Sequence, residues 1–171
     1  IEEIVEKVKR EMDAAIKDIL FSIDGNYSSV FAFGGNEWRT YTPEKPDFLN
    51  RLKSINETAG LWIYMKTNDV LNVYGRLMNT PVKLKNGWNL VGYPSITSIE
   101  PGKALASISG KYQAVFAYDS NLKGWKTYTP EKPDFLNSLK NMSPGSGYWI
   151  DAVSDAVWMP ANTQQNTFAL S

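Results

Sequence analysis

Four carboxylates come in two matched pairs. Glu44 and Asp47 lie in the string "TYTPEKPDFLN" at residues 40–50, and Glu131 and Asp134 lie in an identical string at residues 127–137. Two carboxyl groups facing one cleft can serve as general acid and general base, as in glycoside hydrolysis, when their environments hold them at different pKa values. Two copies of one string give two copies of one environment, which equalises pKa values instead of opposing them. The chain also has no histidine and no cysteine, so the commonest general base, the commonest zinc ligand, thiolate nucleophiles and disulfides are missing together. The expectation is no catalytic residue, no metal site and no cofactor. The structural alternative for these side chains is that Asp47 and Asp134 cap helices while Glu44 and Glu131 are solvated in a turn.

The aromatic residues offer a second chemistry. Trp38 matches Trp125, Tyr41 matches Tyr128 and Trp62 matches Trp149, while Trp88 and Trp158 have no aromatic counterpart. Exposed Trp and Tyr faces bind the apolar faces of sugar rings, and a repeated site adds avidity. These six residues are therefore candidate ligand contacts, against the competing reading that they pack a strand-rich core. In "LWIYM" and "YWIDA" (residues 61–65 and 148–152), Leu61, Ile63, Tyr148 and Ile150 fall on one face and read as core. Trp62, Tyr64, Trp149 and Asp151 fall on the other, the partly exposed side.

Smaller signals are scattered along the chain. Asn26, Asn56 and Asn141 stand in N-x-S/T triplets, which are candidate glycosylation sites and also arise by chance. Asp119, Ser120 and Asn121 offer oxygens to a calcium ion or, on the simpler reading, form a solvated loop. Eighteen basic residues balance eighteen acidic ones, with no basic stripe, so nucleic acid is not an expected partner. No apolar run approaches the roughly 20 residues of a membrane span.

The elements that position these residues are written twice. Residues 40–65 match residues 127–152 at 16 of 26 positions, and residues 20–33 match residues 105–118 at 8 of 14. The spacing between the two matched blocks differs by two residues, at a Gly/Asn/Asp/Ser-containing stretch where a loop tip tolerates insertion. Each copy reads as a strand from Tyr27 or Tyr112, a turn, and a second strand "WRTYT" or "WKTYT". The proline-punctuated string follows, and then a short amphipathic helix with Phe48, Leu49, Leu52 and Ile55, or Phe135, Leu136, Leu139 and Met142, on its apolar face. A turn region comes next, with Pro144 and Gly145 suited to the centre of a type II turn, and then a final strand.

Two segments lie outside this pattern. "VKLKNGWNLVGY" (82–93) carries Asn86-Gly87, the strongest hairpin signal in the chain, because both residues suit the positive φ of a type I′ turn. At the N-terminus, apolar residues at 1, 5, 8, 12, 16 and 19 have a mean spacing of 3.6, an amphipathic helix. The predicted fold is α+β, mainly antiparallel β with short helices. It comprises two tandem pseudo-symmetric repeat modules, residues 1–82 with the N-terminal helix and residues 83–171, packed closely or sharing the 82–93 hairpin.

Together, "GWNLVGYPS", "GKYQAVFAYDSNLKGWKTYTP" and "FLNSLKNMSPGSGYWIDA" resemble a repeat module found in large secreted and cell-surface proteins of archaea and some bacteria. The resemblance covers residues 87–152, and residues 20–65 form a second copy that lacks the leading "GWNL" strand. It implies an extracellular setting and tandem arrays, and it brings no catalytic residues. The tail "NTFALS" aligns with "NTPVKL" just before "KNGWNL", as expected of a piece of a longer array. The expected function is a non-catalytic structural or adhesive module. Its expected partners are extracellular polysaccharide or neighbouring modules, and the alternative is a carbohydrate-binding module using the repeated Trp and Tyr residues.

Overall fold

The computed structural model describes residues 14–74 and 80–161. The first segment runs through β1 (Ala14–Ala15), the one-turn helix α1 (Ile16–Ile19), a hairpin of β2 (Tyr27–Gly34) and β3 (Glu37–Tyr41), then β4 (Ser54–Ile55) and β5 (Trp62–Met65). The second runs through β6 (Val82–Leu84), β7 (Gly87–Gly92) and the one-turn helix α2 (Pro101–Ala104). A second hairpin, β8 (Tyr112–Asp119) and β9 (Gly124–Tyr128), is followed by β10 (Gly147–Ala152) and β11 (Ala156–Trp158). The pairing is antiparallel throughout: one sheet of order β3-β2-β5, one of order β7-β10-β8-β9, and two-stranded ribbons β1-β4 and β6-β11. The fold is thus mainly antiparallel β with short helices, and among the described residues no helix is long and apolar enough to cross a membrane.

Alternation along the strands assigns one face of each sheet to a core. Val30 and Ala32 of β2 pack with Ile16, Leu20, Ile23 and Leu52. Val115 of β8 and Tyr148 and Ile150 of β10 pack with Leu105, Ile108, Met142 and Trp158 in a second cluster. Trp158 is fully buried, and its indole N–H donates to the Ala104 carbonyl at 2.8 Å, so its one polar atom is satisfied. Of the amphipathic helix expected at the N-terminus, residues 1–13 lie outside the described residues, and the described part departs from it: Ala14 and Ala15 are extended and pair with Ile55 and Ser54 of β4, so only the single turn Ile16–Ile19 is helical, with Ile16 buried.

The duplicated string departs from expectation. Instead of an amphipathic helix, residues 47–49 and 134–136 each form a single 3₁₀ turn, and the chain is extended again at Asn50 and Asn137. Asp47 and Asp134 do not cap: the preceding prolines occupy the cap position and no side-chain cap bond forms. Phe48 and Phe135 are each 82% exposed, and Leu49 and Leu136 are exposed as well, so they do not anchor the corner. The anchor is the last residue of the string. Asn50 Oδ1 accepts from the Thr42 N–H at 2.9 Å while its Nδ2 donates to the Thr42 carbonyl at 3.1 Å, and Asn137 holds Thr129 in the same way at 2.9 and 3.2 Å. The next residues then run beside the preceding strand, with the Leu52 N–H on the Thr40 carbonyl and the Leu139 N–H on the Thr127 carbonyl. Leu52 and Leu139 are thereby buried, each contributing roughly 1.5–3 kcal/mol relative to exposure. A helix would forfeit that burial.

Residues 82–93 are not a hairpin. β6 pairs with β11 and β7 with β10, and only Gly87 of the Asn-Gly pair has positive φ, at 92°. Asp155 takes the corner: its carboxylate accepts from the Asn86 N–H at 2.9 Å and from Lys85 Nζ at 2.7 Å. Asn89 bonds back to the Lys85 N–H and carbonyl at 2.9 and 2.8 Å. With the turn held from outside, β6 and β7 diverge, and Val82 and Leu84 enter the second core. The Pro144-Gly145 turn forms as the sequence predicts, with the Ser146 N–H on the Ser143 carbonyl and Gly145 at φ 74°.

The two larger sheets join at a seam. Residues 58–60, leading into β5, lie antiparallel to the free edge of β7 through an Ala59–Val91 bridge, a Gly92 N–H to Thr58 carbonyl bond of 3.0 Å and a Gly60 N–H to Leu90 carbonyl contact of 3.4 Å. A Cβ on Gly60 would stand 2.7 Å from the Val91 nitrogen, and one on Gly92 would stand 3.0 Å from the Ala59 oxygen. Gly60→Ala is expected to destabilise the chain by about 1–3 kcal/mol, read from urea denaturation. Asn137→Ala, which removes a buried amide and strands the half-buried Thr129 N–H and carbonyl, is expected to cost about 1–3 kcal/mol. Asp134→Ala should stay within about 0.5 kcal/mol in the same assay. The reverse order would restore the capping role to Asp134.

Candidate functional site

The core faces leave the opposite faces of both sheets to aromatic residues. In the three-stranded sheet, Phe31 lies across from Trp62 of β5 and Phe33 across from Trp38 of β3, on the side away from Val30 and Ala32. In the four-stranded sheet, Phe116 lies across from Trp149, and Tyr118 across from Trp125, with Trp88 opposite Asp151 at the β7 edge. Period-two alternation suffices to segregate these rings from the aliphatic side chains.

Across the two sheets the rings meet. Trp149 touches Phe33 and Trp38 at centroid distances of 5.3 and 5.5 Å. Trp62 touches Tyr118 at 5.1 Å and stacks on Trp125 at 5.6 Å with an interplanar angle of 27°. In the sequence match Trp62 corresponds to Trp149, Phe33 to Tyr118 and Trp38 to Trp125, so the two sets of contacts are reciprocal. Trp88 extends the cluster, 5.5 Å from Phe116 and 6.2 Å from Trp149.

The rings do not fill the space between them. One hollow of about 530 Å³ is lined, among the described residues, by Phe33, Trp38, Trp88, Phe116, Trp125 and Trp149. A second, of about 540 Å³, is lined by Phe31, Trp38, Trp62, Trp125 and Trp149. The two hollows share Trp38, Trp125 and Trp149 and so lie side by side along one aromatic surface, the aromatic groove. Trp38 and Trp125 are each 49% exposed and Trp88 is 44% exposed, while Trp62 and Trp149 are half-buried. Such a wall offers flat apolar faces to a ligand ring and no charge, which suits stacking and dispersion.

Of the six predicted contact residues, Trp38, Trp62, Trp125 and Trp149 are brought together, and Tyr41 and Tyr128 are not. Both tyrosines lie on the core face, where Tyr41 shares a hydrogen bond with Tyr27 and Tyr128 with Tyr112. The reason is register: Tyr41 lies three residues from Trp38, and Tyr128 three from Trp125, which places each pair on opposite faces. Phe31, Phe33, Phe116 and Tyr118 were missed as site residues. The signal was present, since each alternates with an aliphatic residue in its strand and pairs with a tryptophan. Trp88 had no such signal, because only the β7–β10 pairing brings it to Trp149.

The other candidates are placed apart from the groove. Glu44 pairs with Lys66 at 3.3 Å and Asp47 with Lys53 at 3.7 Å, and Glu44, Asp47, Glu131 and Asp134 are all exposed. Asp119 is occupied within its own hairpin. One of its oxygens accepts from the N–H groups of Asn121 and Leu122 and the other pairs with Lys126 at 2.7 Å, which holds its carboxyl below the usual range. Ser120 and Asn121 are exposed beside it. Among the triplet asparagines, Asn56 and Asn141 are exposed, whereas the Asn26 amide donates to Asp69 at 2.8 Å.

The tyrosines behind the groove set an alkaline limit. Burial, with Tyr41 and Asp24 nearby, pushes Tyr27 up to about 12, and burial also raises Tyr112 and Tyr148. The folded chain holds these protons more tightly than the unfolded chain, in which tyrosine titrates near about 10. Their contribution is therefore complete below about pH 10 and is lost as pH rises toward about 12. The thermal midpoint should accordingly fall through that window, and Tyr27→Phe should lessen the fall; a flat midpoint across it would contradict the burial of these hydroxyls.

Comparison with known proteins finds no family model, no curated protein and no solved structure that matches this chain.

Proposed function

We propose that the chain is a non-catalytic adhesive module of a secreted or cell-surface protein, and that it works by holding an extracellular glycan in the aromatic groove. The observation that carries this reading is the groove itself. It is a continuous wall of aromatic rings in which three tryptophans keep nearly half their surface in water. Isolated exposed rings are ordinary, but contiguous ones mark interaction surfaces. Pyranose rings carry a C–H face that stacks on tryptophan, and a groove that spans several rings suits successive sugars of a polymer.

The finer organisation belongs to the same reading. Two tandem modules, residues 1–82 and 83–171, divide near residue 82. In its favour, the sequence-matched residues Leu20 and Leu105, Ile23 and Ile108, and Val30 and Val115 are buried in separate clusters. The reciprocal ring contacts are those of two related units that face each other. An extracellular setting is supported by the resemblance to surface-protein repeat modules and by three N-x-S/T triplets, two of them with exposed asparagines.

The reading is tested with the whole chain against insoluble and soluble polysaccharides, followed by tryptophan fluorescence and calorimetry. Trp38→Ala combined with Trp125→Ala should lower affinity at least about tenfold, since loss of two stacking rings removes about 1–3 kcal/mol of contact. A cooperative urea transition should persist in the double variant, because both rings lie outside the two cores. A wild-type chain that binds no member of a broad glycan panel would refute glycan adhesion and leave the rings as an interface between the sheets.

A further inference from the structure

We propose that a polar cleft at one end of the groove, built on Asp151 and Gln113, is the subsite that selects the ligand, and that it takes a neutral pyranoside unit in preference to a uronic acid. This rests on the glycan-binding reading above. The cleft has a volume of about 710 Å³, and its walls include Trp88, Gln113, Phe116, Glu131, Lys132 and Asp151. Trp88 and Phe116 also line the aromatic groove, so the two spaces adjoin across these rings.

The strand geometry explains how polar groups come to stand at the end of an aromatic wall. Asp151 follows Trp149 by two residues on β10, on the same face, and pairs with Trp88 of β7. The β10–β8 register shifts between Asp151, which faces Ala114, and Ala152, which faces Tyr112. Gln113 is the residue left over at that bulge, and bulges re-aim side chains. Its Nε2 donates to Asp151 Oδ2 at 2.6 Å, which brings the amide to the same cleft as the carboxylate.

This pair supplies what the groove lacks. A ring stacked on Trp88 presents its hydroxyls edge-on, and they need acceptors and donors in the plane of the sugar. Asp151 keeps lone pairs beyond the one Gln113 uses, and Gln113 keeps its Oε1 acceptor and a second N–H. Asp151 and Glu131 place two carboxylates on the wall against the one ammonium of Lys132, so the cleft repels an anionic sugar.

Among the described residues the subsite occurs once. In the sequence match Asp151 corresponds to Tyr64 and Gln113 to Ser28, and Trp88 has no aromatic counterpart. The Ser28 hydroxyl is bonded to the Tyr64 carbonyl at 3.2 Å, and the Tyr64 ring is exposed. The Asp151 end thus carries a carboxylate and an amide that the Tyr64 end lacks, which gives a bound chain a preferred direction.

The experiment titrates the intact chain with cellohexaose, chitohexaose, mannohexaose, xylohexaose and a galacturonic acid hexamer, by calorimetry and tryptophan fluorescence. The wild type should prefer its best neutral oligosaccharide over the galacturonic acid hexamer by at least about tenfold. Asp151→Ala and Gln113→Ala should each weaken the neutral ligand by about tenfold, the loss expected when a hydrogen bond to a charged or paired group is removed. Asp151→Asn should narrow the neutral preference, and Ser28→Ala, whose hydroxyl is already bonded to the Tyr64 carbonyl, should change nothing. Neutral binding that survives both Asp151→Ala and Gln113→Ala, or equal binding of the galacturonic acid hexamer by wild type, overturns the subsite while the aromatic groove stands. Failure of the wild type to bind any of the five overturns both.

Discussion

The arrangement of the whole molecule depends on a close approach of two backbones. At the seam between residues 58–60 and β7, Gly60 and Gly92 face backbone atoms at distances where a Cβ would collide. Main-chain bonds across the seam attach the three-stranded sheet to the free edge of the four-stranded one. Trp62 follows Gly60 by two residues, and Trp88 precedes Leu90, the Gly60 partner, by two. The seam therefore sets the distance and angle at which the aromatic faces meet, and with them the width of the groove.

Each sheet satisfies its aliphatic face locally and leaves its aromatic face to the other sheet. The rings meet at tilted, T-shaped and stacked angles, with centroid distances of 5.1 to 6.3 Å. Large rigid rings in such mixed orientations gain edge-to-face contact but do not tile a surface, and the hollows between them are the consequence. One set of residues thus holds the sheets together and, in the proposed function, presents the wall on which a glycan stacks. Stacking alone discriminates poorly among sugars, so under the proposed function any choice of ligand falls to the polar groups at the Asp151 end.

The duplicated string "TYTPEKPDFLN" shows how a conspicuous motif can mislead about which of its residues matter. Its carboxylates invited catalysis and its Phe and Leu invited burial, yet all four acidic side chains and both Phe-Leu pairs are exposed. The quiet final asparagine is the structural residue, buried and bonded to both polar groups of the threonine eight positions earlier. No local periodicity reports such a bond, because it closes a loop instead of repeating along an element. The Asn-Gly hairpin expected at residues 86–87 failed for a related reason: Asp155, distant in sequence, holds that corner and sends β6 and β7 to different partners.

What the sequence by itself determined was the local, alternating part of the structure. It specified the two hairpins, the Pro144-Gly145 turn, the antiparallel β class, the core faces of the strands, and the internal match that pairs tryptophan with tryptophan. These follow from period-two sterics and turn chemistry, which act over a few residues. Tertiary structure decided which rings share one groove, why Tyr41 and Tyr128 lie behind it, how Trp88 enters it, and where Asp151 and Gln113 supply it with polarity. Those outcomes depend on strand partners, a bulge and a glycine seam joining residues far apart in the chain, whose relative placement only long-range pairing specifies.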